Sequence, residues 1–219
     1  PRLEDYLDTG SRPGTAVTTF LQREPKDLAP ATEATTAYIS YDDTHLYVAF
    51  VCTAANPSQV RARMTKREDL FRDDFVAVLL DTFHDQQRAY MFFSNPIGIQ
   101  ADGVTSEGSG DDLSYDTVWS VEARRTADGY AALFTIPFKS LRFPSGTSPS
   151  AWGIALQRAI PTNRPTTKPT GSHRVVDSTR KTRRAPLGER AVVMAGPPGS
   201  AAHGRGRVEQ GRWPVEAQG

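Results

Sequence analysis

The sequence predicts an all-β protein: an antiparallel, jelly-roll-like β-sandwich followed by a disordered C-terminal tail. Short apolar or alternating segments of strand length are separated by turn residues, and no long amphipathic helix pattern interrupts them. The composition also changes near residue 161. Of the 26 Lys and Arg residues, 11 lie in residues 162–219, together with only 4 of the 25 acidic residues. These observations predict one sandwich domain over residues 1–161 and a basic Pro/Gly/Arg-rich tail over 162–219.

The first elements are a hairpin and a short helix. Phe20–Pro25 is predicted to be a short strand. Thr36–Tyr41 alternates, a polar turn follows, and Leu46–Cys52 returns as a second strand. This order is typical of a β-hairpin. Pro57–Met64 is predicted to be a short helix that is capped by Asn56.

The remaining strands follow from apolar runs and alternation. They are predicted at Phe75–Leu80, Ala89–Ser94, Gly98–Asp102, Val118–Arg124, Tyr130–Ile136 and Trp152–Leu156. Residues 105–116 are rich in Gly, Ser and Asp and predict a long loop. Several short strands with turns between them favour two packed antiparallel sheets.

The chain has one cysteine, Cys52, so an internal disulfide and a metal-thiolate cluster are not expected. The sequence shows no apolar run of about 18 residues and no signal peptide, so we predict no membrane helix. The abrupt change of composition near Asn163 suggests a shifted reading frame or a truncated gene. Basic runs such as Arg180–Arg184 could contact phosphates, but without interleaved aromatic residues we expect no specific nucleic-acid partner.

A set of short motifs occurs in a defined order between Phe20 and Arg158. The main ones are Tyr41-Asp42-Asp43, Asp81-Thr82-Phe83-His84-Asp85, Asn95-Pro96-Ile97-Gly98, Asp116-Thr117-Val118-Trp119, Ile136-Pro137-Phe138, Leu141-Arg142-Phe143 and Trp152-Gly153. In this order they resemble the carbohydrate-binding domain related to family 9 carbohydrate-binding modules. The sequence departs from that family near its start, where Pro1–Thr19 lacks a tryptophan, and after Ile160.

The resemblance implies a non-catalytic domain that binds oligo- or polysaccharide, in a family that is often attached to glycoside hydrolases. One bacterial branch carries this domain at the N-terminus of longer outer-membrane-associated proteins. The resemblance therefore implies a bacterial envelope (periplasmic or outer-membrane-associated) or secreted location, and a role in polysaccharide uptake or degradation. It also implies an outer-membrane β-barrel region as a possible partner and structural calcium as a possible cofactor.

Sugar binding requires flat aromatic faces and planar polar side chains. Trp119 and Tyr115 are the stacking candidates, and the polar candidates are Arg67, Asp69, Asn95, Gln100 and Arg142. Each has an alternative role. Trp119, like Trp152, can belong to the core, Arg142 can form a structural ion pair, and Asn95 can hold its own turn.

Acidic residues are dense between positions 73 and 116. Carboxylates on loops suit Ca²⁺, which takes six to eight oxygen ligands. Asp74, Asp102 and Asp116 are the candidate ligands, although loop acids of this kind are often simply solvated. We expect no catalytic residues, because no pair of carboxylates is singled out for glycoside hydrolysis.

Three functions of different classes remain open at this point, of which the third is a hydrolase that would require two carboxylates facing each other across a cleft. The first is non-catalytic carbohydrate binding. The alternative is an interaction domain that docks on an outer-membrane barrel or another partner and has no sugar site. Exposed aromatic residues grouped in one cleft would favour the first, and a broad exposed apolar patch would favour the second.

Overall fold

The computed structural model describes residues 1–8, 10–22, 27–67, 69–144 and 151–161, and the strands at 191–195 and 208–211. In chain order the strands are β1 (Thr15–Val17), β2 (Thr35–Tyr41), β3 (His45–Thr53), β4 (Phe75–Asp81), β5 (Arg88–Ser94), β6 (Gln100–Ser106), β7 (Gly110–Asp112), β8 (Ser120–Thr126), β9 (Gly129–Pro137), β10 (Ala151–Ala159), β11 (Ala191–Ala195) and β12 (Val208–Gly211). The described helical segments are the 3₁₀ turns Leu3–Tyr6, Pro57–Gln59 and Phe138–Ser140. None of the helices found there has the length and apolar character needed to span a membrane.

The strands form two antiparallel sheets, which confirms the predicted all-β class. The first sheet has the order β1-β2-β3-β9-β8, and the second has the order β12-β11-β10-β4-β5-β6-β7. Phe50 and Phe134 of the first sheet and Phe92 of the second belong to one buried cluster. The two sheets therefore pack face to face around a common core.

Alternation in β3 explains how the first sheet is covered on both sides. Leu46, Val48 and Phe50 face the core between the sheets. Ala49 belongs to a separate cluster on the outer face, where the N-terminal 3₁₀ turn contributes Leu3. Successive side chains of a strand point to opposite faces, so this division follows from the predicted pattern.

The 105–116 region is more ordered than predicted. It contains the end of β6 and all of β7, and Val104 is paired with Asp112. A Cβ atom at Gly103 would lie 2.7 Å from the Asp112 carbonyl oxygen. Glycine at this position therefore permits the chain to return close to β6. After β7, residues 113–119 cross from the second sheet to the start of β8 in the first.

Two N-terminal elements differ from their predictions. Of Phe20–Pro25, residues 20–22 contain only an isolated bridge, between Leu21 and Pro30, and residues 23–26 lie outside the described part. The predicted helix is reduced to Pro57–Gln59. The Asn56 side chain accepts a hydrogen bond from Ser58 Oγ (2.6 Å) and caps no backbone N–H. The chain then turns away so that Val60 is buried.

The predicted disordered tail contributes two strands at the edge of the second sheet. β11 pairs with β10, with Trp152 opposite Met194, and β12 pairs with β11. Ala191–Ala195 is the apolar segment of the tail, which suits an otherwise open strand edge. These two strands are the described part of the predicted tail. The rest of the tail lies outside the described residues.

Candidate functional site

Segments that carry aromatic and cationic residues come together at one end of the sandwich, where β4 ends and β5 and β10 begin. We call this region the Tyr115 end and define it by Phe83, Arg88, Tyr115, Arg142 and Phe143. Antiparallel pairing of β4 with both β5 and β10 brings their ends together here. The loop between β4 and β5, the 113–119 crossover and the segment after the Phe138–Ser140 turn all meet at this end.

The backbone of Arg142 is fixed by two hydrogen bonds. Its N–H donates to the Tyr90 hydroxyl (3.1 Å), and its carbonyl oxygen accepts from the Thr82 hydroxyl (2.5 Å). Leu141 is buried, and Phe143 is partly buried with its ring centroid 5.3 Å from that of Trp152. Because the residues on both sides face inward, the exposed side chain of Arg142 points to solvent.

Tyr115 lies beside the same tyrosine that holds Arg142. Its ring centroid is 5.6 Å from that of Tyr90, and its side chain is half-buried against the core. Burial raises the pKa of the Tyr115 phenol, which therefore stays neutral at physiological pH. Tyr90 thus brings together two of the predicted ligand residues, Tyr115 and Arg142.

A buried ion pair anchors the crossover segment just after Tyr115. Asp102 is fully buried. One carboxylate oxygen accepts from Arg67 Nη2 (2.5 Å) and the other from the Thr117 backbone N–H (2.8 Å). The same Arg67 nitrogen lies 3.0 Å from Asp116 Oδ1. We call these contacts the Arg67 latch. They hold the two residues that follow Tyr115 in the sequence.

The latch bears directly on the predicted calcium ligands. Asp102 and Asp116 both contact the Arg67 guanidinium, which occupies the place that a cation between these carboxylates would take. Asp74 instead accepts a hydrogen bond from the Arg61 backbone N–H (2.7 Å). Within the described residues, no three His, Cys, Asp or Glu side chains group as a metal site. These three residues therefore do not fit a calcium site, and calcium binding elsewhere stays a prediction.

Trp119 lies in the core between the sheets. It is 7% exposed, and its ring is stacked on Phe134 with a centroid separation of 5.4 Å and an interplanar angle of 5°. The edge contact with Phe92 covers it further. A sugar cannot stack on a ring whose faces are packed against protein. Trp119 is therefore a core residue, which is the alternative role considered for it. Trp152, which is 3% exposed, is a core residue as well.

The other predicted polar residues lie apart from the Tyr115 end or serve the fold. Asn95 is buried and donates to the Arg63 carbonyl (3.1 Å) and to Asp73 (3.2 Å). Its side-chain oxygen Oδ1 accepts from the backbone N–H groups of Ile97 and Ile99 in the turn that follows. Gln100 donates to the Trp119 carbonyl (3.4 Å). Asp69 is exposed on the loop before β4.

Three residues of the Tyr115 end were not predicted from the sequence as candidate ligand residues: Phe83, Arg88 and Phe143. Phe83 is 48% exposed in the loop after β4. That loop is shaped by the Asp81 carboxylate, which accepts from the Gln86 N–H (2.8 Å), and by two non-glycine residues with positive φ. Arg88 is two positions before Tyr90 and so shares its face of β5. The alternation of β5 could have identified Arg88 only if Tyr90 had been recognised as part of a site.

The chain is similar in fold to solved carbohydrate-binding proteins. A protein from Bacteroides uniformis that has been proposed to bind carbohydrate matches with a TM-score of 0.51 and 10% identity, over 69% of this chain and 80% of that one. A family 9 carbohydrate-binding module from Caldicellulosiruptor kristjanssonii, solved with cellotriose, gives a TM-score of 0.46 at 15% identity, over 66% of this chain and 65% of that one. The same kind of module solved with glucose gives 0.37 at 15% identity, over 59% and 61%.

At these identities the likeness concerns the fold alone, and the Bacteroides uniformis protein shares the fold expected from the resemblance. No protein-family model matches the chain, and no curated protein matches it.

Proposed function

We propose that this chain is a non-catalytic carbohydrate-binding domain whose ligand docks at the Tyr115 end. The observation that carries the proposal is the grouping of partly exposed aromatic rings with an exposed arginine whose backbone is fixed. Tyr115 and Phe143 offer aromatic surface for the apolar face of a pyranose ring, and Arg142 offers donors for its hydroxyls. The similarity in fold to carbohydrate-binding proteins supports the same function.

Binding at this end would break no bond. Asp81, the carboxylate next to Thr82, is buried and accepts N–H bonds from Asp85 and Gln86. These bonds make Asp81 a cap of the loop after β4, whereas a glycosidase needs two carboxyl groups that face each other across the scissile bond. The residues of the Tyr115 end therefore suit ligand binding better than glycoside hydrolysis.

The test is a glycan-array screen of the full chain, followed by affinity electrophoresis of the Tyr115→Ala variant. We expect a defined glycan to bind and the variant to lose at least about tenfold in affinity, since stacking on an aromatic face is lost. Tyr47→Ala is the matched control. Tyr47 is also half-buried, but it packs with the outer-face cluster of the first sheet. Equal loss in both variants, or binding that ignores Tyr115, would contradict this site.

The second candidate is a protein-interaction domain that docks on an outer-membrane barrel region or another partner. The observation in its favour is that Trp119 and Trp152 are both buried, so no tryptophan face among the described residues is offered to a sugar. A well-folded chain that binds no glycan, with and without calcium, would favour this function.

We also propose a biological role and a cellular location for this domain. A domain of this kind would assist the uptake or degradation of polysaccharide at the bacterial cell envelope or outside the cell. Fractionation of the native host tests the location, and growth of a deletion strain on the bound polysaccharide tests the role. A strain that grows normally on that polysaccharide would contradict the role.

A further inference from the structure

We infer that the Tyr115 end selects saccharides that carry an anionic group, a carboxylate or a sulfate ester, through Arg88 and Arg142. The inference rests on the proposed carbohydrate-binding function and names the class of ligand for the same site. It depends on where two arginines lie relative to Tyr115.

Arg88 reaches the site from the second sheet. It is the first residue of β5 and is exposed. Because it shares a face with Tyr90, it lies on the side of the sheet on which Tyr115 packs. The charge of Arg88 acts on the Tyr115 phenol, which agrees with this placement.

Arg142 reaches the site from the segment after β9. Its main chain is held by Tyr90 and Thr82, so the point from which its side chain leaves the backbone is fixed before any ligand arrives. Tyr90 therefore links both arginines to Tyr115. Arg88 lies on the same strand as Tyr90, and the Arg142 backbone N–H donates to the Tyr90 hydroxyl. A ligand that covers Tyr115 would come within reach of both guanidinium groups.

Neither arginine is neutralised by the part of the protein that the structure describes. In those ranges Arg63, Arg67, Arg124 and Arg158 each form an ion pair with a carboxylate, whereas Arg88 and Arg142 form none. Two acids of the adjoining turns, Asp85 and Asp112, bond groups close to them in sequence. Asp85 accepts from the Gln87 N–H, and Asp112 accepts from Ser114.

The chemistry of guanidinium explains why an anionic sugar would be preferred. Arginine binds carboxylate and sulfate through paired, charge-assisted hydrogen bonds, which are stronger than bonds to neutral hydroxyls. A uronate or sulfated ring could stack on Tyr115 while its anionic group meets one or both arginines. A neutral ring would keep the stacking and lose the charged contacts.

The test compares glycans that differ in charge. Affinity of the full chain is measured by calorimetry for an oligogalacturonate, its methyl ester, a sulfated galactan, the desulfated galactan and cellotriose. We expect an acidic form to bind at least about tenfold more tightly than its neutral partner. The preference should weaken as salt is raised. The uronate and sulfate arms then show which anionic group is used.

Arg88→Gln should lower affinity for the acidic glycan about tenfold and leave binding of its neutral partner within about twofold. Arg142→Gln should also lower affinity for the acidic glycan about tenfold, with a smaller loss for the neutral partner, since that variant loses donors to the sugar hydroxyls as well. Arg72→Gln is the matched control. Arg72 is exposed before the start of β4, at the opposite end of the strand from Thr82. Equal binding of acidic and neutral glycans would overturn the charge inference and leave the proposed function standing. Binding of no glycan at all would remove both.

Discussion

Replacement of Trp119 separates a core role from a ligand-stacking role. The ring is 7% exposed and contacts Phe134 face to face and Phe92 edge to face. Trp→Ala in a packed core costs about 3–5 kcal/mol in free energy of unfolding, and the two lost ring contacts favour the upper part of that range. Since domains of this size have about 5–15 kcal/mol in total, Trp119→Ala could leave little folded protein.

Trp119→Phe gives a milder test of the same role. It keeps a six-membered ring against Phe134 and removes an indole N–H that is buried without a hydrogen-bond partner among the described residues. We expect a loss of about 1–2 kcal/mol, measured by urea unfolding. Glycan affinity should stay within about twofold, because neither face of the ring is open to a ligand. If Trp119→Ala loses less than about 1 kcal/mol, or Trp119→Phe keeps its stability and loses glycan binding, Trp119 is a platform and this reasoning fails.

Three further predictions concern the latch, acid stability and the cysteine. Arg67→Ala should lower the free energy of unfolding by about 2 kcal/mol and the melting temperature by about 4–8 °C, because buried Asp102 loses its charged partner; exposed Arg72→Ala should change little, and equal shifts would contradict the latch. Desolvation acts to raise the pKa of Asp42, but hydrogen bonds from Tyr47, Thr44 and His45 lower it more, so the folded pKa lies below the ordinary value. The stability that Asp42 contributes is therefore present above about pH 4 and lost as pH falls further. In Asp42→Asn the melting temperature should fall less steeply as pH is lowered below about 4. An unchanged slope would refute this. Burial raises the pKa of the Cys52 thiol to about 11, so a thiol reagent at pH 8 should label it in urea and leave the native protein unlabelled; rapid native labelling would mean that the core opens.

The fold was largely predictable because strand burial has a period of two. Leu46, Val48 and Phe50 were predicted on one face from alternation alone, and they lie together in the core. β7 was missed because Gly110–Asp112 has no apolar pattern. It forms through pairing with β6, and glycine at 103 gives the space for this return. Tertiary pairing overrides local propensity in such segments.

The candidate site was predictable in part. Tyr115 and Arg142 were chosen for their residue types, and both lie at one end of the sandwich. Their convergence depends on Tyr90, whose hydroxyl and ring reach segments that are distant in sequence. Strand pairing decides such contacts, and a single sequence does not reveal it. Asp102 shows the same limit, because the carboxylate expected to bind a cation pairs with Arg67 instead.

The central claim is that a saccharide binds at the Tyr115 end. A crystal structure of the full chain with the tightest-binding glycan from the screen tests this most directly. We predict a sugar ring against Tyr115 or Phe143, with a polar or anionic group within hydrogen-bonding distance of Arg142. A sugar that is bound on another surface while the Tyr115 end stays empty would contradict the claim.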